Sequence, residues 1–349
     1  MKQKVIKVFF FLTIITANII QCRNYSPSSS TKITYLEKIK EIKNYSEEDS
    51  CFDKITSLCV DSENRLYVAD SGLSRIFVFT SDLNYLDSFS GIGQPSEEFS
   101  DNLLLSCGSC GKLYVTNLRN HTLSTFSLDG QFIRQFSIDA KLLDVPLINS
   151  KGDIYFLSLN GTNILDIFDS ELRLKDSLID MKFHLTFPFE SPQNMARRMM
   201  SLFPTINQVK KLITRDDQIF ILLNNSQTVL HIDEGHKLIN SFSVHHPRFV
   251  KDYRQRLKNI VGKGGWINCF GSFYLDECGY LCLCYYNRTA DEPEIYRYST
   301  NGNFIDILKI RENGQLEPTN QFISASSSVG LYYSISLDSK KICAYKIVE

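Results

Sequence analysis

The chain has 349 residues, with 38 Lys and Arg against 39 Asp and Glu, a formal net charge of −1 and 12% aromatic residues. So even a balance supplies no global field to gather nucleic acid. The length is ample for one large core.

The N-terminus reads as an address. Lys2, Lys4 and Lys7 precede an apolar run from Val8 to Ile20. That run is short for a membrane span and suits a signal peptide over residues 1–21. It ends at Ile19-Ile20-Gln21-Cys22, and a Cys directly after the apolar region resembles a bacterial lipobox, whose thiol is lipidated. Gln21 departs from the small residue usual there. A plain secretory signal would leave Cys22 an ordinary cysteine. Residues 22–33, rich in Ser with Pro27, read as a flexible tether carrying the lipid anchor. The remainder, 34–349, reads as one domain.

That domain repeats. Its most regular stretch runs from Leu66 to Ile76 (Leu66-Tyr67-Val68-Ala69-Asp70-Ser71-Gly72-Leu73-Ser74-Arg75-Ile76): a strand, a polar turn and the start of a second strand. Fainter copies follow, centred on Tyr114, Tyr155, Phe220, Cys282 and Tyr333, each after a turn containing Gly, Asp or Asn. A second strand anchor follows in each copy (Phe79, Phe126, Phe168, Ile232, Tyr298, Tyr345), and the first five copies then carry a turn and a short apolar strand. Short strands divided by turns predict an all-β fold. Four strands per unit of roughly 40 residues is the period of a propeller blade. The sixth copy stops after its third strand, and residues 34–42 are placed to supply the fourth. Donating that strand closes the ring and removes an exposed sheet edge. The expected fold is a six-bladed β-propeller closed by an N-terminal strand, with two short helical insertions. A β-sandwich with a small second domain is the alternative.

Leu66 to Ile76, with the later Gly91-Ile92-Gly93-Gln94-Pro95-Ser96-Glu97-Glu98-Phe99, resembles the NHL repeat. The resemblance is good in the first unit, weaker through Leu113-Tyr114-Val115-Thr116-Asn117, and poor beyond. The whole chain resembles the six-bladed propeller lipoproteins of Bacteroidota-type bacteria. The resemblance implies the fold and an address in the cell envelope or periplasm, on the outer membrane. It does not imply a ligand.

The two long spacings between copies mark insertions. In 180–205, Ser191 to Phe203 reads as a helix that Ser191 caps and Pro192 starts, carrying Arg197 and Arg198. In 245–265, Phe249, Tyr253, Leu257 and Ile260 recur at helical spacing. There Arg248, Lys251, Arg254, Arg256, Lys258 and Lys263 oppose the single acid Asp252, and Trp266 follows. Both insertions join an outer strand to the next inner strand, so both are expected over one face of the channel. Long loops on a rigid scaffold are where binding concentrates. Arg197, Arg198, Arg248, Lys251, Arg254, Arg256 and Trp266 are therefore the candidate ligand-binding residues, for an envelope protein, peptide or glycan. A solvated basic face that merely covers the ring is the competing reading.

Catalytic signals are thin. No nucleophile elbow, phosphate loop or HExxH motif occurs, and the predicted inner strands offer no ring of carboxylates. The expectation is a non-catalytic binding or scaffold module with no cofactor, no metal and no nucleic-acid partner. A propeller-type hydrolase or lyase with a channel-bound metal is the alternative. Cys107-Gly108-Ser109-Cys110 could be a local disulfide, a metal half-site or two structural thiols. Its union with Cys278, Cys282 and Cys284 is excluded, because Cys110 and Cys278 occupy equivalent turns in opposed units, roughly 30 Å apart, against Zn–S bonds of about 2.3 Å.

Overall fold

The computed structural model describes residues 31–44, 51–90, 99, 103–139, 144–157, 163–180, 209–223, 227–244, 246, 270–285, 294–312, 315–316, 323–336 and 338–348. Within them the chain forms strands only. Strand β1 spans Ile33–Ile42. Four hairpin-linked sheets follow: β2 (Ile55–Val60), β3 (Leu66–Asp70), β4 (Arg75–Phe79) and β5 (Tyr85–Ser90); β6 (Leu103–Gly108), β7 (Lys112–Asn117), β8 (Thr122–Ser127) and β9 (Phe132–Ser137); β10 (Leu147–Ile148), β11 (Ile154–Leu157), β12 (Asn163–Phe168) and β13 (Leu174–Asp180); β14 (Val209–Ile213), β15 (Ile219–Leu223), β16 (Thr228–Ile232) and β17 (Leu238–Ser243). The last strands are β18 (Phe270–Leu275), β19 (Leu281–Tyr285), β20 (Glu294–Tyr298), β21 (Phe304–Glu312), β22 (Gln315–Leu316), β23 (Ile323–Ser326), β24 (Leu331–Ile335) and β25 (Ile342–Val348).

The arrangement is propeller-like. The first strands touch in a closed cycle, β2 to β6, β10, β14, β18, β23 and back to β2. Neighbouring first strands run parallel: Thr56 Oγ1 donates to Leu103 O (3.0 Å) and the Leu105 amide donates to Ser57 Oγ (3.0 Å). One end of the ring, the entry face, therefore carries the connections arriving at each first strand. The other carries the first-to-second hairpin turns.

The sheet count differs from the expectation. Four separate four-stranded sheets are joined by one nine-stranded sheet in the order β18-β19-β20-β21-β1-β25-β24-β23, with β22 paired to β21. Strand β1 does pair antiparallel with β25 as the closing strand, Leu36 opposite Ile347 and Ile42 opposite Ile342. Its other edge also bonds, parallel to β21, from Ile33 opposite Ile307 to Glu37 opposite Arg311. Length is the cause: β1 has 10 residues and β21 has 9, so they run alongside each other and fuse what would otherwise be two units.

The two helical insertions expected over 180–205 and 245–265 lie outside the described residues, apart from Asp180 and His246. Among the described residues there is no helix.

The repeat anchors are core. Tyr67, Tyr114, Tyr155, Phe220, Cys282 and Tyr333 are all at most 1% exposed. Where the anchor is a tyrosine, its hydroxyl has a second duty. Tyr67 donates to Leu128 O (2.8 Å) and Tyr333 to Ser81 O (2.8 Å), each in the third-to-fourth turn of the adjoining sheet. Tyr155 is hydrogen-bonded to His236 Nε2 (2.9 Å) in the corresponding turn beyond it. These three anchors thus latch one sheet to the next; the Tyr114 hydroxyl instead contacts Cys110 Sγ in its own sheet (3.6 Å), and Phe220 and Cys282 lack the oxygen. The fourth strands form the outer edge, where Leu86 (50%), Ile133 (43%) and Ile239 (53%) stay exposed.

A buried charge cluster fixes the closing strand. Arg297 donates from Nε and Nη2 to both oxygens of Asp306 (2.7 and 2.6 Å) and from Nη1 to Asp276 (3.2 Å). Thr34, at the start of β1, donates to Asp306 Oδ2 (2.7 Å). Burial would raise the Asp306 carboxyl, but the bonds from Arg297 and Thr34 outweigh it and hold the group below its ordinary value.

Candidate functional site

The segment most like a motif is architecture. Asp70, fully buried, accepts four backbone N–H bonds, from Asp53 (2.8 Å), Lys54 (2.9 Å), Gly72 (3.0 Å) and Leu73 (3.1 Å). It ties the approach to β2 onto the β3–β4 turn. In the second copy Asn117 caps its own turn, through Arg119 (3.2 Å) and Asn120 (3.1 Å).

Chemistry gathers instead at the entry-face end of the third and fourth units. Lys210 and Lys211 stand near the start of β14, a first strand beside the central axis. Alternation along the strand sends them opposite ways. Lys211 shares its side with Val209 and Ile213, which pack toward the third sheet. Its Nζ reaches Asp144 Oδ2 and Val145 O, just ahead of β10. The Lys211 side chain is 4% exposed and that of Asp144 9%, so this is an interior ion pair. Asp144 also accepts from the Val145 amide (2.7 Å) and the Leu157 amide (3.4 Å).

Lys210 shares its side with Leu212, which packs into the core between the fourth and fifth units. It is half-buried and, among the described residues, makes no hydrogen bond or ion pair. Burial lowers its ammonium from the usual value; Asp144 opposes that shift and Lys211 adds to it. Burial lowers Lys211 as well, against the support of Asp144. The site therefore offers one cation neutralised internally and one without an ion pair among the described residues, both on one strand. An unspent, partly desolvated ammonium suits a carboxylate, sulfate or phosphate.

Three of the described histidines, His231, His236 and His246, are held within the fold. His231 stacks on Phe220 (ring centroids 4.1 Å) and bonds Gln218 Oε1 (2.6 Å). His246 packs between Tyr296 (4.9 Å) and Phe304 (5.4 Å). Among the described residues no group of three or more His, Cys, Asp or Glu could hold a metal. Cys107 and Cys110 are free thiols that leave the sheet on opposite sides: Cys107 packs in the core shared with the first sheet, Cys110 in the core shared with the third.

The predicted binding residues Arg197, Arg198, Arg248, Lys251, Arg254, Arg256 and Trp266, and the lipidation candidate Cys22, lie outside the described residues. Lys210, Lys211 and Asp144 were not among the predictions. The signal was present: adjacent lysines inside a segment read as an innermost strand, where none of the other predicted inner strands carries a cation.

The NHL repeat matches residues 52–79. No curated protein sequence matches the chain. Solved structures share the fold at low identity. A putative exported protein of Bacteroides fragilis aligns at 13% identity and TM-score 0.57, covering 93% of this chain and 97% of that one. A member of the DUF4221 family from Bacteroides vulgatus aligns at 9% and 0.55, covering 91% and 99%. Virginiamycin B lyase of Staphylococcus aureus aligns at 11% and 0.50, covering 90% and 100%.

Proposed function

We propose that the protein is a six-bladed propeller of the bacterial cell envelope, held by a lipid at Cys22, that binds an anionic ligand or an acidic partner surface at its entry face without transforming it. The observation that carries this reading is Lys210, a half-buried ammonium with no ion pair among the described residues, mounted on a first strand beside the axis. In sequence, Arg197 and Arg198 fall between β13 and β14, and Arg248, Lys251, Arg254, Arg256 and Trp266 between β17 and β18; the reading assigns them to the same entry face. The closed cycle of six first strands supports the blade count, with β1 as fourth strand of the last blade. The lipobox-like Cys22 and the exported Bacteroides neighbour support the address.

The test is capture. Immobilised protein is incubated with envelope extract of its source cell, and retained molecules are identified by mass spectrometry. Lys210→Met and the triple change of Arg248, Arg254 and Arg256 to Ala should each weaken retention at least tenfold, and retention should fall with salt. Unchanged retention by both variants refutes the reading. The second reading, a lyase or hydrolase with a channel-bound metal, is kept by the fold shared with virginiamycin B lyase. Stoichiometric divalent metal in purified protein would favour it.

A further inference from the structure

Cys59 and Cys107 meet across the seam between the first and second sheets. Cys59 lies on β2 and Cys107 on β6, neighbouring first strands that run parallel. The seam is keyed by the bond from the Leu105 amide to Ser57 Oγ. Two residues further along each strand the side chains return to the same side. That step leads from Ser57 to Cys59 and from Leu105 to Cys107. Both thiols pack on the core that the two sheets share, close enough that Cys59 adds to the rise of the Cys107 thiol. Both residues are half-buried.

The same geometry dismantles the Cys107-Gly108-Ser109-Cys110 motif. Cys110 contacts the Tyr114 hydroxyl (3.6 Å) on the far side of the sheet, and a Cβ on Gly108 would lie between Ile148 and the Cys110 sulfur. The near sequence neighbour faces away, and the facing thiol is 48 positions upstream.

We propose that Cys59 and Cys107 form a disulfide in an oxidising compartment, stapling the first sheet to the second. The oxidant is a disulfide of the thiol-exchange class. The Cys59 thiolate attacks one sulfur of RS–SR and expels the first RS⁻. The Cys107 thiolate then attacks Cys59 Sγ in the mixed disulfide and expels the second. Two protons leave the protein, two electrons reduce RS–SR to two thiols, and one S–S bond forms. Burial, together with the neighbouring Cys59 thiol, pushes the Cys107 thiol well up, so the closing step should quicken with rising pH. Stapling constrains the unfolded chain across a loop of almost fifty residues. The inference stands apart from the binding reading, whose failure would leave it untouched.

Peptide mapping tests it. Purified full-domain protein is equilibrated with oxidised glutathione at pH 8.5, quenched, alkylated in denaturant and digested with trypsin. The expected product joins peptide 55–65 to peptide 76–112, the latter carrying one alkyl group on Cys110. Cys110→Ser should retain the cross-link, and Cys107→Ser should abolish it. The oxidised protein should show a Tm several degrees higher, reversed by dithiothreitol. A Cys107–Cys110 bridge within peptide 76–112, or full alkylation of Cys59 and Cys107, overturns the proposal.

Discussion

Replacing Arg297 with Met tests the account of ring closure. The Arg297 side chain is 7% exposed, and the carboxylates of Asp306 and Asp276 are fully buried. The substitution keeps an apolar stem but removes three charge-assisted bonds and strands two interior carboxylates. Breaking a buried pair by deleting one partner costs about 3–5 kcal/mol, most of it the penalty of the uncompensated charge. Thr34→Val takes only one bond from Asp306 and should cost about 1 kcal/mol. The assay is equilibrium urea unfolding at pH 7.5, followed by far-UV circular dichroism and tyrosine fluorescence. The ordering is the diagnostic: Arg297→Met far below Thr34→Val, and Thr34→Val below wild type. If Arg297→Met falls within 1 kcal/mol of wild type, the cluster is not what fixes β1, and the closure argument fails.

Tyr67→Phe keeps the ring but removes the hydroxyl bonded to Asp61 (3.1 Å) and Leu128 O, and should cost about 1–3 kcal/mol by the same assay. Two turn glycines carry a packing prediction. A Cβ on Gly130 (φ +78°) would sit 2.5 Å from Phe89, and one on Gly302 (φ +89°) 2.5 Å from Phe242. Gly130→Ala and Gly302→Ala should therefore each cost about 2–4 kcal/mol, while Gly111→Ala (φ +72°, open space) should cost only about 1 kcal/mol of backbone strain; equal losses would discard the packing argument. His231 titrates below its ordinary value because burial disfavours its charged form. The unfolded chain then binds more protons than the folded one below about pH 6.5, so stability falls as pH drops through that value. Unfolding at pH 7.5 and 5.0 should show a smaller acid loss in His231→Gln than in wild type, and identical losses would remove His231 from the account.

The strand pattern was legible because the anchors repeat with buried neighbours on both sides. Leu66 to Ala69 and Ile219 to Leu223 are near-continuous apolar runs, and both are fully buried second strands. Donation of the N-terminal strand to β25 was legible as a missing partner. Its second ladder to β21 was not, since parallel pairing between distant segments leaves no turn in the sequence to announce it. The interior ion pair was hidden for a related reason: Asp144 and Lys211 are 67 positions apart, and only the parallel packing of β10 beside β14 brings them together. The Cys107-Gly108-Ser109-Cys110 spacing was misleading. Cys107 is near the end of β6 and Cys110 lies in the turn that follows, and the two side chains pack into the cores on opposite sides of the sheet.

Strand β1 also decides how the molecule bears load. A pull applied at Ile33 would run along the strand, against two hydrogen-bond ladders loaded side by side in shear. Ladders in that geometry must break together rather than one rung at a time. The strand that closes the ring is thus placed to be its mechanical root, and tension on its N-terminal end would be spread into both β21 and β25.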